Sequence, residues 1–322
     1  MERSADLPHR PGRTRFAHGG AARLAYDPGD PSAAAAGVAV VVLLHPLLGD
    51  RRSLAALGAA LAEPGAPARR TIVPEARGHG ASAGLAGRRL GLTDLAADLL
   101  AVLAAEGVGA AHLVGQGLGA AIAFEVARRR PERVRSLTLL EPPLWGLLAG
   151  DPDPTARAAA AAARATAETA ADLADKGQTD RALDVLLDGA WGRDWRERLP
   201  RSRLAAVRRH AGALAGALTA LAAYPLTPAD AAAIAVPALV AHGADAVPLD
   251  RLVAERLVAA LPGARLAVIP APADPALPLA GPAAEAFTAL AVRFLADVEI
   301  GAIPDARDDH ATTGGDGAPT VG

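Results

Sequence analysis

Apolar positions along the chain alternate between short unbroken runs and longer stretches of helical period. Val38 to Leu44 is apolar at every position and rich in β-branched residues, the pattern of a strand buried on both faces of a parallel sheet. Similar runs recur at Arg70–Val73, Ala111–Val114, Val134–Leu140, Pro237–Ala241 and Arg265–Ile269. Between them the spacing predicts helices over Arg51–Ala62, Thr93–Ala105 with Thr93 as N-cap, Leu118–Arg130, Asp250–Leu261 and Pro282–Ala296. Ahead of these, Arg13–His18 and Ala22–Asp27 flank Gly19-Gly20 and predict a hairpin. Strand and helix in alternation imply βαβ units and a mostly parallel sheet flanked by helices, an α/β fold.

The alternation breaks once. From Leu144 to Asp230 no strand pattern occurs, only Ala-rich helical sequence with Trp191, Trp195 and the basic run Arg201–Arg209. Alanine is the best helix former, so a helical insertion between two strands, a cap over residues 144–230, is expected. The core is then 13–143 and 231–297. Residues 1–12 read as a flexible arm and 298–322, polar and without period, as a disordered tail. No internal repeat is visible.

Composition narrows the classes. Of 322 residues 51% are hydrophobic but only 3% aromatic, so Ala, Leu and Val must fill a large core. A net charge of −2 leaves no electrostatic footprint for nucleic acid or an anionic membrane surface. The absence of cysteine removes disulfides, thiolate metal sites and a thiol nucleophile. No secretory h-region and no run near the roughly 20 apolar residues of a membrane span is present, so a cytoplasmic protein is expected. A protein partner is not indicated either way.

Chemistry concentrates in four short segments. Gly115-Gln116-Gly117-Leu118-Gly119 joins a strand to a helix. His45-Pro46-Leu47-Leu48-Gly49 follows the Val38–Leu44 strand, Glu75-Ala76-Arg77-Gly78-His79-Gly80-Ala81-Ser82 follows the next, and His242-Gly243-Ala244-Asp245 closes a later one. In this order and spacing they resemble the α/β-hydrolase superfamily in its capped form, over residues 13 to 297. The first segment is similar to the Gly-x-Ser-x-Gly nucleophile elbow, the second to the His-Gly oxyanion loop.

The resemblance implies a triad that this chain lacks. Gly117 stands at the nucleophile position, and neither Ser nor Cys occurs between Ser82 and Ser136. Asp274, in the loop Ile269–Leu277, stands where the family histidine belongs. An aspartate returns a proton near neutral pH only when burial raises its pKa strongly. Ala246 stands at the acid position, with Asp245 one residue early and Glu141 at the alternative acid position after Val134–Leu140. Backbone N–H groups of Leu47 and Leu118 remain available to an oxyanion hole, and His45, Leu47, Gln116, Gly117, Leu118, Trp145 and Asp274 would line the pocket.

The remaining histidines read as structural: His45 and His242 at strand ends, His79 bracing its turn, His112 opening a strand. The Arg201–Arg209 run with His210 reads as a solvated helix face. No spacing resembles a metal site, and no cofactor motif occurs. The expected function is a hydrolase-like protein without serine-hydrolase activity, a pseudoenzyme binding a small apolar or ester-like molecule. The alternative is an enzyme using Glu141 or Asp274 for non-triad chemistry in the same cleft.

Overall fold

The computed structural model describes residues 14–20, 22–30, 37–63, 67–82, 90–270 and 279–303. The expected arm at 1–12, the loop carrying Asp274 and residues 304–322 lie outside them.

Eight strands form one sheet: β1 (Arg15–Gly19), β2 (Ala22–Asp27), β3 (Ala39–Leu44), β4 (Arg69–Pro74), β5 (Ala111–Gln116), β6 (Val134–Leu140), β7 (Ala238–Gly243) and β8 (Arg265–Ile269), in the order β1-β2-β4-β3-β5-β6-β7-β8. β1–β2 and β2–β4 pair antiparallel, and every other neighbouring pair is parallel. The helices of the sheet layers are α1 (Ala55–Leu61), α2 (Leu92–Ala105) and α3 (Leu118–Arg129). Between β6 and β7 lies a helical segment: α4 (Pro154–Asp175), α5 (Thr179–Trp191), α6 (Trp195–Arg198), α7 (Arg201–His210), α8 (Leu214–Ala222) and α9 (Pro228–Ala232). Helices α10 (Pro248–Ala260) and α11 (Pro282–Glu299) follow.

The period-2 alternation of a strand sends successive side chains to opposite faces. In β3, Val42 and Leu44 join the core under α2 and α3, with Leu99 and Phe124. Val41 and Leu43 join the opposite core, with Leu57 of α1 and Phe287 and Leu295 of α11. Helices on both faces explain why the strand is apolar at every position.

Several boundaries differ from expectation, among them the start of α1, at Ala55 rather than Arg51. Helix α2 starts at Leu92 with Gly91 as N-cap, the Asp94 carboxylate accepting the Gly91 N–H at 2.8 Å, so Thr93 lies inside the first turn rather than capping it. Asp94, at the third helical position, reaches back to the N–H of the N-cap residue, a bond that needs no side chain at the cap. Helix α11 continues through Asp297 to Glu299, so residues 298 and 299 belong to the helix and not to a disordered tail.

Candidate functional site

The carboxyl ends of β3, β5, β6 and β7 lie side by side, and in an open parallel sheet this edge is where ligands bind. Residue 117 sits at its centre. Gly117 has φ 52° and ψ −116°, a region nearly closed to side chains. Its N–H donates to Leu140 O at 2.9 Å and its carbonyl accepts Ala121 N–H at 3.0 Å. The flanking glycines are required by contact. A Cβ at Gly115 would lie 2.4 Å from the Gly119 carbonyl carbon, and one at Gly119 would lie 2.3 Å from Leu44 O. The strand therefore turns into α3 with no room between them.

Leu118 is the first residue of α3, so its N–H has no partner within the helix. Leu47 follows β3 in a turn closed by Gly49 N–H to Pro46 O at 3.1 Å. Both leucines are buried. Two histidines fix this loop from below. His45 donates from Nδ1 to Pro46 O at 2.8 Å and accepts Ala76 N–H on Nε2 at 3.0 Å, which requires the neutral ring. Burial, and secondarily the neighbouring His79, push its pKa down to about 3. His79 Nε2 lies 2.6 Å from Leu47 O, and burial lowers this imidazole too. His45 and His79 thus hold the backbone of the loop and offer no free base.

The loop after β4 is braced as tightly. Glu75 is buried and accepts Ala81 N–H at 2.7 Å. Gly80 has φ +50°, and a Cβ there would lie 2.3 Å from the Glu75 carboxylate. Arg77 grips Asp98 with two hydrogen bonds, at 2.7 and 2.9 Å. These side chains, with His45 and Gly119, border a cavity of about 20 Å³, room for one water. It lies on the α2–α3 side of the sheet and is not lined by Gly117.

The acid positions meet across the sheet edge. Glu141 is buried with φ 46°, a left-handed conformation uncommon outside glycine, and its Oε1 accepts Gly243 N–H at 3.0 Å. Ala246 is buried beside that strand end, its N–H on Gly243 O at 3.1 Å, whereas Asp245 is exposed. His242 is buried with Nδ1 2.9 Å from Gly243 O. Gln116 is fully buried, and Trp145 is half-buried against the core at the start of a short 3-10 turn. Asp274 lies outside the described residues.

One expectation is overturned. His210 does not share the solvated face of Arg201–Arg209. It ends α7 and is 4% exposed, its ring stacked at 6.0 Å on His79 and Nε2 3.5 Å from Asp50 Oδ2. Arg201, Arg208 and Arg209 are exposed as expected. The basic run hides the switch of face at its last residue, and Asp50 reads in sequence as a turn residue. Both were missed for that reason.

A Ser–His–Glu line exists elsewhere. His112 Nδ1 lies 2.8 Å from Ser136 Oγ and Nε2 lies 3.9 Å from Glu299 Oε1. It sits at the opposite, amino-terminal end of β5 and β6. Ser136 has no exposed surface, and Glu299 is already held by Arg69 at 2.8 and 2.7 Å. Burial pushes His112 down to about 4, so this is a neutral structural imidazole. Among the described residues no group of three His, Cys, Asp or Glu side chains is arranged to hold a metal ion, and no helix is long and apolar enough to cross a membrane.

A mostly parallel sheet with this strand order, an elbow between strand and helix and an oxyanion-type loop define an α/β-hydrolase scaffold. The chain belongs to the alpha/beta hydrolase fold family, whose pattern it matches over residues 39–273. Among solved structures it is similar to the enol-lactonase from Burkholderia xenovorans LB400, at 24% identity and a TM-score of 0.67, over 88% of this chain and 100% of that one. It is likewise similar to the bromoperoxidase from Bacillus anthracis, at 22% identity and a TM-score of 0.66, again over 88% and 100%. These likenesses speak to fold alone. A stretch of 63 residues is 44% identical to the putative carbamate hydrolase RutD of Azorhizobium caulinodans, 19% of this chain and 24% of that protein. The chain thus matches about a quarter of that relative's length.

Proposed function

We propose that this protein is a non-hydrolytic member of the family that binds a small, largely apolar molecule between the sheet edge and the helical segment 144–230, which acts as a cap. The observation that carries this reading is Gly117. The turn keeps the backbone geometry in which the family displays a nucleophile, at φ 52° and ψ −116°, yet carries no side chain. Ala246 and Asp274 at the acid and base positions agree with it. Where triads have been removed from serine hydrolases, about 10³–10⁴-fold catalysis over water persists from the oxyanion hole and binding. A faint esterase background is therefore expected, and efficient turnover is not.

A panel of short-chain aryl esters tests this. The expected result is hydrolysis no faster than that background, together with thermal stabilisation of the protein by small apolar carbonyl compounds. Efficient turnover by the purified protein would overturn the reading.

The second reading, an enzyme with non-triad chemistry, has the strained conformation of Glu141 in its favour, because such strain collects at functional sites. Its carboxylate is engaged by Gly243 N–H, which favours a structural role in joining β6 to β7. Loss of a measured activity in Glu141→Gln with unchanged stability would promote this second reading.

A further inference from the structure

His210 is buried, and neither ring nitrogen has a hydrogen-bond partner among the described residues. Asp50 Oδ2 lies 3.5 Å from its Nε2, beyond a good hydrogen bond. Asp50 is otherwise well placed. Its Oδ1 accepts Arg52 N–H at 2.8 Å, and its N–H donates to Ser53 Oγ at 2.9 Å, so the carboxylate is fixed at the end of the Leu47 loop. The imidazole beside it holds that carboxyl down at about 2, leaving it ionised. A neutral ring with its hydrogen on Nε2 toward that anion presents Nδ1 as a buried lone pair without a donor. Native proteins rarely leave such an atom unpaired, and a ligand is one way to satisfy it. The other groups near the ring do not compete. His45 is committed to Pro46 O and Ala76 N–H, and His79 to Leu47 O.

We propose that His210, oriented by Asp50, is the hydrogen-bonding anchor of the ligand site, and that the ligand is a small carbonyl compound that also carries an O–H or N–H donor. The carbonyl oxygen takes the Leu47 and Leu118 N–H groups, and the donor hydrogen goes to His210 Nδ1. The anchor thus comes from the helical segment and the acceptor site from the sheet edge, and a ligand holding both would tie the two together. This rests on the ligand-binding reading above.

Benzamide and acetophenone make the test, being the same ring and carbonyl with NH₂ exchanged for CH₃. Binding to the full chain is followed by ligand-observed NMR and by the ¹⁵N resonances of the histidine side chains. The expected result is about fivefold to tenfold tighter binding of benzamide, the discrimination one neutral hydrogen bond gives. The His210 Nδ1 signal, assigned through His210→Gln, should move with benzamide and stay with acetophenone. His210→Phe should abolish the preference while retaining acetophenone. Should that variant fail to fold, the wild-type ¹⁵N titration decides alone. Equal affinities with an unmoved Nδ1 signal would overturn the His210 assignment and leave the cleft reading standing. Binding of neither compound would overturn the cleft reading and the anchor with it.

Discussion

At the scale of single residues, the elbow separates two requirements that sequence presents together: a backbone that must be tight and a side chain that must react. Gly115 and Gly119 meet the first by contact. Gly119→Ala would press a Cβ to 2.3 Å from Leu44 O, and neither partner is a flexible side-chain end. The expected loss is about 3 kcal/mol or more in urea unfolding, at the top of the usual range for overpacking. Gly189→Ala in α5, where an added Cβ meets nothing within 4 Å, is expected instead to stabilise by about 0.5–1 kcal/mol. Gly117→Ser should cost about 1 kcal/mol, because serine must enter a positive-φ conformation that glycine adopts freely. It should give no acyl-enzyme burst with aryl esters. A burst would mean that a base reaches position 117, and His210 would be the first to replace. The turn positions of the glycines, Leu47 and Leu118 were legible because contiguous motifs report local backbone. His210 and Asp50 were not, because their meeting is set by how α7 packs against a loop about 160 residues earlier.

At the scale of elements, β3 was legible because burial on both faces leaves no polar position to blur the run. Helix ends were less so, since a cap is decided by one or two hydrogen bonds, as Asp94 decides the start of α2. Least legible was what joins the helical segment to the sheet layers. One such joint is Tyr224, whose hydroxyl donates to Glu125 Oε2 at 2.5 Å across 99 residues. Glu125 has no exposed surface and is also gripped by Arg128 at 2.7 and 3.0 Å. Its own burial, and then the hydrogen bond to this carboxylate, keep the Tyr224 hydroxyl protonated well above its ordinary range. Tyr224→Phe removes the hydrogen bond but leaves the carboxylate with its arginine. A loss of about 1–2 kcal/mol is therefore expected, rather than the larger cost of an orphaned buried charge. Amide hydrogen exchange should accelerate in α8 and the turn after it more than in β5. Uniform acceleration across the chain would mean that the bond supports the whole fold and not this joint.

At the scale of the whole molecule, the buried imidazoles couple folding to pH. His45, His79 and His112 are neutral in the fold because burial opposes their charge, with pKa values of about 3 for His45 and about 4 for His112 and a downward shift for His79. In the unfolded chain each titrates near 6.5. Below that pH the unfolded state binds more protons than the folded one, so stability rises with pH and is lost as pH falls from about 6.5 toward 4. Three such groups give at most about 4 kcal/mol per pH unit, a large share of the roughly 5–15 kcal/mol that holds a domain together. Asp50, held at about 2, adds to the loss only below the ordinary carboxylate range. Asp98, raised by burial, works in the opposite sense and above the ordinary carboxylate pKa, where the folded state keeps its proton longer than the unfolded one. The histidine window is thus separate from that of Asp50. Urea midpoints measured from pH 8 to pH 4.5 should stay level above about pH 7 and fall steeply below 6. His112→Asn should lower overall stability, through the lost Ser136 contact, and also flatten the slope by about one proton. A profile flat from pH 7 to pH 5 would mean that these rings are charged or solvated in the native protein, and the neutral histidine scaffold beneath the Leu47 loop would have to be abandoned.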